Sequence, residues 1–122
     1  MNNYKELNVW QKAIELVKEV YKLTEHIPNN EQFGLTSQIR RAAVSIPSNI
    51  AEGAGRKSNK EFEHFLSISL GSCFELETQI IISQELNFIN LEDCKNADEL
   101  ILEIQKMIRG LQKSLQPKKS YD

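Results

Sequence analysis

The chain has 122 residues, 40% of them hydrophobic and 26% charged, with a net charge of −2. That balance excludes a disordered polymer, and the length is enough for one domain with a real core, unaided by disulfides or structural metal. A slightly acidic total also excludes a globally basic nucleic-acid binder.

Charge is unevenly spread along the chain. Residues 31–60 hold five basic and two acidic residues, whereas residues 61–90 hold five Glu and no Lys or Arg. A basic second quarter beside an acidic third predicts that the two segments face each other, within or between subunits. Cys73 and Cys94 fall in apolar helical patterns without metal or redox spacing, and are expected as buried, reduced thiols. The N-terminal MNNYKELNVWQKA has no apolar signal core, and no apolar run approaches membrane-spanning length. A cytoplasmic protein with no membrane partner is the expectation.

Helix 1 is predicted over residues 8–27. Asn8 is its candidate N-cap, with Gln11 in the capping-box position. Val9, Ala13, Val17, Val20 and Ile27 make the core stripe, widened by Trp10, Ile14 and Tyr21. Pro28-Asn29-Asn30 ends it, because proline cannot continue the ladder and Asn favours turns.

Helix 2 is predicted over residues 32–54, with Gly34 leaving its start open between Glu31 and Thr36. Leu35, Ile39, Ala42, Ala43, Ile46 and Ile50 form its buried side, and the alanines let a neighbour approach closely. Pro47 removes an amide donor and drives its ring at the Ala43 carbonyl, a cost of about 3 kcal/mol in a helix interior. Apolar spacing resumes in register at Ile50 and Ala51, which predicts a kink; the alternative is a short break capped by Ser48. Ser45 and Ser48 stand ready for freed backbone groups. Gly53 and Gly55 are expected to stop the segment.

Helix 3, over residues 59–88, opens on Ser58-Asn59-Lys60-Glu61, a capping box directly before an apolar run. Phe62, Leu66, Ser69, Cys73, Leu76, Ile80 and Ser83 form one seam at alternating spacings of four and three. Phe65, Ile68, Ser72, Glu75, Gln79, Ile82 and Leu86 form a second. A bundle helix needs a single apolar stripe; this one is apolar most of the way round. Helix 4, over residues 91–116, follows Asn90 as N-cap with Asp93 in its first turn. Its heptad runs through Ala97, Ile101, Ile104, Ile108, Leu111 and Leu115 to Pro117. No strand alternation competes, so residues 1–122 read as one all-α domain, an antiparallel up-down four-helix bundle with a proline-kinked second helix.

Three stretches carry a resemblance: LNVWQKAIELVKEVY, FGLTSQIRRAAVSIPSNIAEGAGR and EFEHFLSISLGSCFELETQI. Over residues 7 to about 90 the chain resembles the four-helix-bundle family of 23S rRNA-intervening-sequence, or S23-type, proteins. The resemblance implies a second helix kinked at Pro47, a homopentameric ring and no known enzymatic activity. The chain is also similar to the accessory proteins of diversity-generating retroelements, which bind nucleic acid and a reverse transcriptase. Those relatives are basic, and the acidic balance here tells against that role.

Candidate site residues fall into two groups. Arg40 is expected partly buried and Arg41 wetter, while Glu75 and Glu77, among apolar residues of helix 3, would be costly to bury unpaired. Structural ion pairs between these arginines and glutamates answer both needs. Arg56, Lys57 and Lys60 surround the start of helix 3, where free amides and cations can hold an anion; with Arg41 they form the candidate nucleic-acid or anion surface. A plain solvated loop is the competing reading. Glu61-Phe62-Glu63-His64 contains Glu-x-x-His, yet the second copy and further glutamates of a di-iron bundle are missing. No nucleophile elbow, phosphate loop or Cys–His pairing appears. Phe62, Phe65 and Phe74 sit at core spacing, which leaves Trp10 and Tyr21 as interface candidates. No enzyme, cofactor or metal is therefore expected. The sequence predicts a non-catalytic homo-oligomeric scaffold presenting a basic surface to RNA or a protein partner; the alternative is a nucleic-acid-binding accessory factor acting with a reverse transcriptase or ribosomal RNA.

Overall fold

A computed structural model describes residues 3–117 and consists of four helices: α1 Asn8–Thr24, α2 Leu35–Ala54, α3 Asn59–Glu85 and α4 Leu91–Leu115. Single 3₁₀ turns at Tyr4–Glu6 and Asn29–Glu31 precede α1 and α2. Each helix packs on two neighbours, α1 on α2 and α4, α3 on α2 and α4, with no diagonal contact among the described residues. Along α2 and α3 the facing residues run in opposite order: Gly53 meets Phe65, and the Ile46 carbonyl meets Ser69.

Local chemistry sets the helix ends. Ser58 Oγ accepts from the Glu61 amide at 3.2 Å, one half of the predicted capping box. Asn90 Oδ1 accepts from the Asp93 amide at 2.8 Å. At α1, Leu7 is the N-cap and makes no side-chain cap bond, so Asn8 is the first helical residue instead. Gln11 reaches back to the Lys5 carbonyl, not to a cap amide. α1 ends three residues before the predicted boundary, because a residue preceding proline is pushed out of the α region and Ile27 precedes Pro28. α3 likewise stops at Glu85 rather than residue 88. Asn87 takes φ 61°, a conformation that Asn tolerates better than most residues. Its amide bonds the Gln84 carbonyl and that of Phe88 bonds Ser83, a Schellman closure.

α2 passes through Pro47 without a break. Donors gather around it: Ser48 Oγ reaches the Val44 carbonyl, Asn49 Nδ2 reaches Ser45, and Ser69 Oγ of α3 reaches Ile46, each at 2.8 Å. The Ser45 hydroxyl turns instead to the Ser72 hydroxyl. Gly53 does not stop the helix, which continues to Ala54. Its role is steric. A Cβ there would lie 2.7 Å from Phe65 Cβ and 2.9 Å from Phe62 Cδ1, so α2 and α3 can meet only over a glycine.

The core joins all four helices. The first predicted seam of α3 is buried from Leu66 to Ser83, and Ala97, Ile101, Ile104 and Ile108 of α4 are buried opposite. In α1 the buried stripe is Val9, Ala13, Leu16, Val20 and Leu23; the predicted stripe omitted both leucines, and Ile14 points outward. Cys73 and Cys94 are buried free thiols. α3 is also long and apolar enough, by length and composition, to cross a membrane, contrary to the expectation. Only a third of its most apolar stretch is buried in the bundle.

Candidate interaction surfaces

The outer side of α3 is the first such surface. Ile68, Phe74, Ile81, Ile82 and Leu86 are each between 40% and 54% exposed. They share this side with exposed Glu75, Thr78 and Glu85. Phe74 therefore lies outside the core for which its spacing was read, and the Arg109 guanidinium sits 5.9 Å from its ring centre. Gln79 is buried between this surface and the core, with Oε1 unpartnered.

The second surface is a groove between α1 and α2, a cavity of about 460 Å³ lined by Tyr21, Phe33, Ser37, Arg40, Arg41 and Val44. Arg40 is half-buried, as its position predicts, but its partners are unexpected. Its Nε donates to Thr24 Oγ1 at 2.9 Å, and its guanidinium lies 4.4 Å from the Tyr21 ring centre. Arg41 is exposed. Phe33, at 92% exposure, forms the rim. It stands in a turn, where no periodicity could single it out.

The predicted ion pairs of Arg40 and Arg41 with Glu75 and Glu77 do not form within the chain: none of the salt bridges among the described residues uses these four side chains. Geometry explains the difference. Glu75 is exposed on the outer side of α3, so water solvates it. Glu77 turns towards α4, where Gln105 Nε2 donates to its Oε1 at 2.8 Å. A neutral amide thus satisfies the carboxylate for which an arginine was expected. Burial and, secondarily, the Glu77 charge push the Cys73 thiol up to about 12. Burial and the same charge raise the Asp98 carboxyl.

The third surface is the turn from α2 to α3. Arg56, Lys57, Ser58, Asn59 and Phe62 line a cavity of about 530 Å³ with Leu7 and Leu115 at the same end of the bundle. Arg56 is not a free cation: its Nη2 lies 3.6 Å from Glu52 Oε1 and its guanidinium 4.8 Å from the Phe65 ring centre. Lys57 and Lys60 are exposed and make no salt bridge among the described residues. His64, beside them, stacks edge-on to Phe65 at 5.6 Å. Trp10 is half-buried and meets Tyr4 edge-on, while Tyr21 supports Arg40.

Comparison with known proteins adds three findings. A family model described as 23S rRNA-intervening sequence protein matches residues 5–110. The fold is similar to a crystal structure of a protein with unknown function from the S23 ribosomal protein family of Bacteroides thetaiotaomicron, with a TM-score of 0.79 and 25% sequence identity over 86% of this chain and 98% of that one. Comparison with curated proteins finds no match.

Proposed function

The chain belongs to the 23S rRNA-intervening sequence protein family, and from that premise we propose that it is a non-catalytic scaffold that works as a ring of identical bundles. The outer side of α3 carries this reading. Five large apolar side chains, each roughly half covered, stay wet in a single bundle. Covering them contributes on the order of 5 kcal/mol. Association costs about 4–15 kcal/mol in lost freedom, so one small apolar contact is marginal alone. Closed rings repeat the contact and leave no surface open. Five copies is the number that the family resemblance suggests.

Absence of catalysis draws support from the thiols. Cys73 is buried with its pKa pushed up to about 12, and burial also raises Cys94, so neither is a thiolate nucleophile at neutral pH. A second reading, binding of RNA or DNA, is favoured by one observation: Lys57 and Lys60 are both exposed at the start of α3, Lys57 on the lining of the cavity there. Repeated around a ring, these lysines would make a basic rim.

Light scattering on the purified protein tests the scaffold. A mass near five times that of the chain is expected, and a monomer at high concentration overturns the ring. Binding of RNA or DNA that weakens steeply with salt, and is lost in R56Q/K57Q/K60Q, would favour the second reading.

A further inference from the structure

The ring reading says that copies meet but not which surfaces do, and on that reading rests a more specific inference. We propose that the outer side of α3 in one copy docks into the α1–α2 groove of the next, with Glu75 of the first facing Arg41 of the second.

Three observations point to this pairing. The first is charge. Residues 61–90 hold five Glu and no Lys or Arg, so two copies of the α3 surface laid on each other would set Glu75 and Glu85 among like charges. The groove carries the opposite sign through Arg40 and Arg41. Second, the charges on both surfaces are unspent: Arg41, Glu75 and Glu85 are exposed and enter no salt bridge among the described residues. On the other basic surface the arginine is already engaged, since Arg56 is held by Glu52 and Phe65, and only the aliphatic-stemmed Lys57 and Lys60 remain unpaired among the described residues. Third, the groove is apolar as well as basic. Phe33 stands at its rim, 92% exposed, with Tyr21 and Val44 partly exposed beside it. Exposed aromatics next to arginine are the side chains that anchor interfaces. Their natural counterparts are Ile68, Ile82 and Leu86 around Glu75 on α3.

Arg40 contributes rigidity. Thr24 fixes its Nε and Tyr21 its guanidinium face, so the groove floor is organised before anything docks. Because the two surfaces belong to different elements, the contact is heterologous, each copy offering one surface to each neighbour.

Charge reversal tests this pairing. Arg41 and Glu75 are both exposed, so R41E and E75R should melt at the wild-type temperature under conditions where all variants are monomeric. In sedimentation and light scattering, each single reversal is expected to raise the dissociation midpoint about tenfold or more. The double variant R41E/E75R, which restores opposite signs, should return to within about threefold of wild type. Mixing the two single variants should recover mixed oligomers, since each supplies the surface that the other lacks. Strict alternation cannot close a ring of five, so these should dissociate more readily than assemblies of the double variant. An effect of E75R alone, with R41E behaving as wild type, would overturn the groove as the acceptor while leaving the ring intact. Wild-type monomers that pellet with phosphatidylglycerol vesicles would overturn both readings.

Discussion

α3 and α4 are nearly equal in length, 27 and 25 residues, and lie side by side in the same bundle. α4 buries one stripe, Ala97, Ile101, Ile104 and Ile108, and gives most of the rest of its circumference to charged and polar residues, with Leu91 and Leu102 its exposed large apolar side chains. α3 buries its own stripe equally well and then continues apolar on the far side, through Ile68, Ile81, Ile82 and Leu86. The bundle thus explains most of α4 but leaves a whole apolar side of α3 unaccounted for. Residues that fold stability does not require are where a function of association should be sought.

Point substitutions put that contrast to the test. Leu76 lies on the inner side of α3 and is fully buried. Leu76→Ala should cost about 2–5 kcal/mol in urea unfolding. Ile82→Ala, on the outer side, should leave the monomer within about 0.5 kcal/mol while weakening assembly. Equal losses of monomer stability at the two positions would erase the distinction between the two sides of α3. Next in size is the glycine comparison. Gly53→Ala drives a Cβ into Phe65 and should cost about 1–3 kcal/mol. Gly110→Ala in α4 meets nothing within 4 Å and should stabilise by about 0.5–1 kcal/mol through helix propensity.

The smallest effect concerns alkaline pH. Burial pushes Cys73 up to about 12, from 9.0 for an unperturbed thiol. The folded state therefore holds this proton at pH values where the unfolded state releases it. The contribution is fully present below about pH 9 and lost as pH rises towards 12. The alkaline limb of the wild-type stability profile should flatten in Cys73→Ala, compared at equal temperature.

Much of the fold was legible because its signals are local. The caps at Ser58 and Asn90, the stop at Pro28 and the inner seam of α3 each depend on residues within one or two turns. Where tertiary neighbours decide, the reading missed. In α1 both Ile14 and Leu16 are apolar, and only the position of α2 and α4 chooses Leu16 for the core. Gly53 reads as a helix stop until Phe62 and Phe65 come to lie against it. The surfaces were harder still. Opposite charges on residues 31–60 and 61–90 suggested ion pairs, but sequence does not reveal that Gln105, from α4, takes Glu77. Nor does it reveal that Thr24 and Tyr21 hold Arg40. Phe33 gave no signal because a turn has no period from which exposure can be read.

Pro47 sets an order of events for the newborn chain. Pro47 withholds an amide from the Ala43 carbonyl, and α3 meets this weakened stretch through Ser69, which bonds the Ile46 carbonyl twenty-three positions before it. A helix with a costly interior residue gains little by forming alone. While a ribosome is still making residues before Ser69, α2 should flicker; it becomes a continuous rod only as α3 emerges and lies down along it.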